Sequence, residues 1–194
     1  MIHQFLPPDW RLSENLKRVY EHSRTVANAA EIIADHIPTL DEKIAYTFGV
    51  MHDVGKFYLP EAEKYKHPRV GCELLKDKYP DVALICLTHP FPDFGAYEHI
   101  LHYHHNDEVE SKKVFELLSQ VKKTIYMELI QFCDKISRVN DYIPWEKKLD
   151  WYLKTYDLEP DEMTEQYSVH LQKIKQKLDD MSGEDVYKLL KIWP

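Results

Sequence analysis

A chain of 194 residues with 44% apolar and 30% charged side chains has the material for one buried core and is too apolar to remain unfolded. Its formal charge of −8, with no basic run, argues against duplex nucleic acid as a partner. No stretch approaches the roughly 18 consecutive apolar residues of a membrane span, and the start, "MIHQFLPPDW", lacks the basic and apolar regions of an export signal.

The elements predicted along the chain are helical, because apolar residues recur at three- and four-residue spacing and only five glycines interrupt them. Ser13 is placed to cap a first helix over 14–36, whose apolar stripe includes Leu16, Val19, Val26, Ala30 and Ile33. His22, three residues after Val19 and four before Val26, lies at the margin of that stripe. A second helix is expected from Asp41, carrying Ile44, Ala45, Phe48, Met51 and His52 inward and stopping at Gly55. Further helices are expected over 68–78, 80–88, 96–104 and 112–139, the last with room for an interruption. Beyond Pro144 the pattern continues over 145–156, 160–180 and 183–192, and no strand is predicted. The expectation is an all-α single domain over 1–194, with a core at about 14–140 and a C-terminal helical extension at about 145–194. Cys72, Cys86 and Cys133 are too widely spaced for a zinc knuckle or a disulfide framework, which suits a reducing cytoplasm.

Three of these helices send a histidine or an aspartate toward the interior. His52 and Asp53 are adjacent, His22 precedes them, and Asp134 interrupts the apolar neighbours Ile130, Phe132, Cys133 and Ile136. Any one of them is explained as a hydrogen-bonded core residue or a cap. Together each would need a separate partner, whereas one divalent ion satisfies them all, and imidazole with carboxylate suits zinc, iron or manganese.

The segments "EHSRTVANAA", "GVMHDVGK" and "IQFCDKIS" resemble, in this order, the H, HD and D signature of the HD-domain metal-dependent phosphohydrolase superfamily. The resemblance spans about 14–140 and implies an all-helical core in which His22, His52, Asp53 and Asp134 ligate a metal. "KHPRVGCELLK" and "ICLTHPFPDF" are similar to segments of members that bind two ions, which implies His67 and His89 as further ligands and Asp53 as the bridge. The cofactor is then one or two divalent ions, among which Fe, Mn, Zn and Mg are not distinguished. The implied reaction is hydrolysis of a small phosphate ester or anhydride, nucleotide-like, by a metal-activated hydroxide.

Lys56, three residues beyond Asp53, can reach a bound phosphate and neutralise its charge in catalysis, or can face a helix C-terminus. Arg69 is a second candidate for substrate binding, with a surface role as its alternative. In "EHILHYHHND", His99 and His102 share a helical face and are candidates for substrate or metal contact, while the whole cluster of His99, His102, His104 and His105 also reads as a solvated turn. The absence of "GYP", and "VGK" where other subfamilies carry acids, argue against cyclic dinucleotide, stringent-response and short 5′-nucleotidase activities. Two other functions stay open on the same ligands: a di-iron oxygenase of the same fold, and a regulatory module that binds metal and nucleotide without turnover. No chemistry is predicted beyond residue 145.

Overall fold

The structure, a computed structural model, describes residues 2–91, 96–155, 157 and 159–192. Helix α1 spans Glu14–Asp35 and α2 spans Glu42–Met51. Both start where the sequence puts a cap: Ser13 accepts from the Leu16 amide, and Asp41 accepts from the amides of Lys43 and Ile44. The two helices pack closely because Gly49 presents no side chain, and a Cβ there would sit 2.5 Å from Ala27 Cα. Helix α2 ends four residues before the expected stop at Gly55. The chain turns at His52 and Asp53 and continues as a 3-10 helix over Val54–Tyr58.

Next come α3 (His67–Leu75), α4 (Pro80–Thr88) and α5 (Tyr97–Tyr103). The long segment expected over 112–139 is two helices, α6 (Glu108–Leu118) and α7 (Ile125–Ile136), each opened by a capping side chain, Asp107 and Thr124. After α7 a two-residue antiparallel ladder pairs β1 (Ser137–Arg138) with β2 (Asp141–Tyr142), the one sheet among the described residues. Asn140 turns the chain between them at φ 62°, a left-handed conformation that asparagine tolerates. The fold is all-α apart from this hairpin.

Helices α8 (Trp145–Thr155), α9 (Glu162–Ser182) and α10 (Val186–Leu189) complete the chain, and Gly183 supplies the left-handed end of α9 at φ 72°. Helix α7 is the hub, with Leu129, Ile130, Phe132 and Ile136 fully buried and with α1, α2, α4, α8 and α9 packed around it. Leu171, Ile174 and Leu178 of α9 and Val186 of α10 belong to the same buried cluster as Val26, Ile33 and Met51. None of the described helices is long and apolar enough to cross a membrane.

Candidate metal centre

Three helix ends and two helix faces deliver polar groups to one point. His22 projects from the inner face of α1, and its Nε2 lies 2.9 Å from Asp134 Oδ1 on α7. His52 and Asp53 occupy the turn that ends α2, with His52 Nε2 3.4 Å from Asp53 Oδ2 and 3.9 Å from Asp134 Oδ1. His67 opens α3 and His89 closes α4; their Nε2 atoms are 3.1 and 3.4 Å from Asp53 Oδ1. Two sets of donor atoms fit around a cation, His22 with His52 and Asp134, and His52 with Asp53 and His89, and within each the atoms lie within 4.8 Å of one another. His52 belongs to both.

The backbone fixes which nitrogen of each ring is free. Nδ1 of His52 is 2.7 Å from the Gly49 carbonyl, Nδ1 of His67 is 2.7 Å from that of Lys64, and Nδ1 of His89 is 2.9 Å from that of Cys86. A carbonyl only accepts, so each Nδ1 carries a proton, and each ring in its neutral form offers a lone pair at Nε2. The Nε2 atoms of His67 and His89 are nevertheless only 3.0 Å apart. Burial lowers the pKa of both, His89 to about 3, so neither ring holds the second proton that would make this contact a hydrogen bond at neutral pH. Nε2 of His52 and Oδ1 of Asp53 are buried without a hydrogen-bond partner. Lone pairs that face one another in a sealed interior are costly unless a cation lies among them. The residues therefore fit a divalent ion, and each ring has the backbone hydrogen bond that metal-ligating imidazoles commonly make.

Both aspartates are ionised here. Burial alone would raise the Asp53 carboxyl, but Lys56, His52 and His67 outweigh it and hold it well below the usual range. Asp134 is held low against the same burial by Lys135 and His22. Burial pulls His52 down, yet the charge of Asp53 overcomes it and leaves the pKa raised, while burial leaves that of His22 lowered.

The cluster has a closed floor and an open rim. Side chains of His52, Asp53, His67 and His89 are 0%, 1%, 4% and 3% exposed, against 18% for His22 and 13% for Asp134. Two lysines stand on that rim. Lys56 Nζ is 2.6 Å from Asp53 Oδ2, and Lys135 Nζ is 2.7 Å from Asp134 Oδ2.

The structure thus gathers His22, His52, Asp53, His67, His89 and Asp134, with Lys56 beside them. It directs Arg69 elsewhere: the guanidinium forks onto Glu110 at 2.7 and 2.9 Å and reaches Glu73 at 2.7 Å, tying α3 to α6. His102 is exposed and His99 half-buried, and among the described residues no contact joins either to the cluster. His104 is fully buried, with its ring against Phe91 and Tyr103. Sequence reasoning gave no role to Lys135, Tyr103, Lys148 or Tyr167. Only "DK" in "CDKIS" places a cation beside the aspartate, and the other three reach the site through packing between distant segments.

Among known families, the HD-domain family model matches residues 19–139. No solved structure matches the chain.

Proposed function

The chain belongs to the HD-domain family, and from that premise we propose that it is a metal-dependent phosphohydrolase acting on a small, nucleotide-like phosphate ester or anhydride. What supports this reading above all is the convergence of imidazole nitrogens and two ionised carboxylates on one point with a buried floor and an open rim, flanked by a lysine at 2.6 Å from Asp53. His22, His52, Asp53, His67, His89 and Asp134 are the residues that would hold two neighbouring ions, with Asp53 shared between them. Divalent ions in such a site supply Lewis-acid polarisation of a phosphoryl oxygen and an acidified water.

The chain's own groups do the rest. The carbonyls of Gly49, Lys64 and Cys86 keep protons on Nδ1 and so keep Nε2 available for ligation. The buried floor excludes bulk water and strengthens every charge interaction above it. Lys56 is the catalytic cation: when Asp53 serves as a ligand, the ammonium beside it is placed to bind a phosphoryl oxygen and offset the charge that grows there in the transition state. Three buried free thiols, Cys72, Cys86 and Cys133, are consistent with a cytoplasmic setting.

The test pairs metal analysis with turnover. Wild type and Asp53→Ala are loaded with Mn2+, their metal content is measured, and phosphate release is followed from a panel of nucleotides and dinucleotides. The expected result is about a hundredfold or greater loss of turnover, together with loss of at least one ion. Retention of both metal and turnover by Asp53→Ala would exclude the mechanism.

A further inference from the structure

The C-terminal helices bring groups to the open rim that the metal cluster itself does not need. Lys148, on α8, places Nζ 2.6 Å from the carbonyls of both Asp134 and Ser137, at the C-terminal end of α7. It anchors α8 there and adds a third ammonium charge to those of Lys56 and Lys135. Tyr167, on α9, sets its ring beside Lys135, with Nζ 6.0 Å from the centroid. Tyr103 of α5 approaches from another side, its hydroxyl 3.4 Å from His67 Nδ1.

Three cations oppose two carboxylates at this edge. The imbalance grows once the carboxylates serve divalent ions, because each then gives up its charge to a metal and its lysine is released. A single phosphoryl group at the ions is served by Lys56. Lys135 lies on the second carboxylate, Asp134, which is set apart from Asp53 by the His52 ring. It is a quarter exposed, and Asp134 joins it to the part-exposed His22, one carboxylate oxygen facing each. A second anionic group is what would occupy such a cation.

We propose that Lys135 and the hydroxyl of Tyr167 form a second phosphate subsite on the rim, so that the substrate carries a diphosphate or longer phosphate chain and not an isolated phosphomonoester. This rests on the phosphohydrolase reading and narrows its substrate class. Lys148 is a positioning residue in it, holding the end of α7 and hence Lys135, and contributing charge without contact.

The test is calorimetric binding of methylenediphosphonate and methylphosphonate to the full-length, Mn2+-loaded chain, with metal content measured on the same samples. Neither probe has a hydrolysable bridge, so binding is read without turnover. Wild type should prefer the diphosphonate by about tenfold or more. Lys135→Met should reduce that preference below about threefold while metal content and methylphosphonate affinity stay unchanged. Tyr167→Phe, which keeps the ring and its packing, should reduce it in the same direction and decides the matter if Lys135→Met does not fold. An unchanged preference in either folded variant overturns the subsite. A metal-replete wild type with no preference overturns the subsite alone, and a wild type that takes up no metal overturns the phosphohydrolase reading along with it.

Discussion

Asp53 keeps its two oxygens in different company: Oδ1 faces His67 and His89, and Oδ2 faces His52 and Lys56. That division is what the proposed sharing of this carboxylate between two ions would need, and no side chain with one donor atom could reproduce it. His104 shows the opposite use of a buried imidazole. Its Nδ1 is 3.2 Å from the Ser111 hydroxyl, its Nε2 has no partner, and burial pushes its pKa down to about 4 against 6.5 in the unfolded chain. The folded state therefore resists taking a proton that the unfolded state accepts. This contribution is fully present above pH 6.5 and is lost as the pH falls toward 4. Between pH 7.5 and 4.5 the loss should be about 2 kcal/mol, seen as a steeper fall in thermal stability for chelator-treated wild type than for His104→Gln. Parallel pH profiles for the two proteins would show that His104 does not titrate in this way. His22, His52 and Asp134 were legible because each lies in or beside an apolar helical register, with Asp53 next to His52, whereas His67 and His89 were legible only through the resemblance of their segments to members that bind two ions. Arg69 was ambiguous because its partners, Glu110 and Glu73, include a residue on another helix. His104 could not be told from the exposed His102 and His105, since all three belong to one polar run whose burial is decided by Phe91 and Tyr103.

At the level of elements, the 3-10 helix after Asp53 and the start of α3 nearly touch. A Cβ on Gly55 would lie 2.2 Å from the His67 carbonyl oxygen and 2.8 Å from the Gly71 amide nitrogen, both backbone atoms that cannot rotate away. Gly55 is thus required by close approach, where the sequence suggested a helix stop. Gly55→Ala should cost about 2–4 kcal/mol in urea unfolding and, by moving His67, should lower metal content in whatever remains folded. Wild-type stability in that variant would mean that the two segments separate freely. Helix existence was well marked by periodicity and caps, as at Ser13 and Asp41. Helix ends were less so: Val121 sustains an apolar spacing across residues 119–124, where the chain in fact breaks before the Thr124 cap. The hairpin of β1 and β2 escaped notice because two residues per strand carry no alternation to read.

Across the whole molecule, α8 to α10 share one buried cluster with α1 and α7, and we propose that residues 1–194 form a single folding unit. Variants retaining Trp10 alone or Trp145 alone report on the N-terminal and C-terminal parts, and their urea midpoints should agree within about 0.2 M, as two-state unfolding requires. Separate midpoints would make the extension an independent layer. The extension yielded no chemistry in the sequence because a lysine and a tyrosine on amphipathic helices read as surface until the docking of α8 and α9 brings them to Asp134. The three imidazoles tethered to carbonyls three residues upstream carry a further implication. Their rotamers are frozen by the same helix ends that fold the chain, so the loss of side-chain entropy falls on folding and not on ion capture. Affinity for the ion is then set by coordination and desolvation alone, undiminished by the about 0.5–1.5 kcal/mol that each freely rotating ligand would have subtracted.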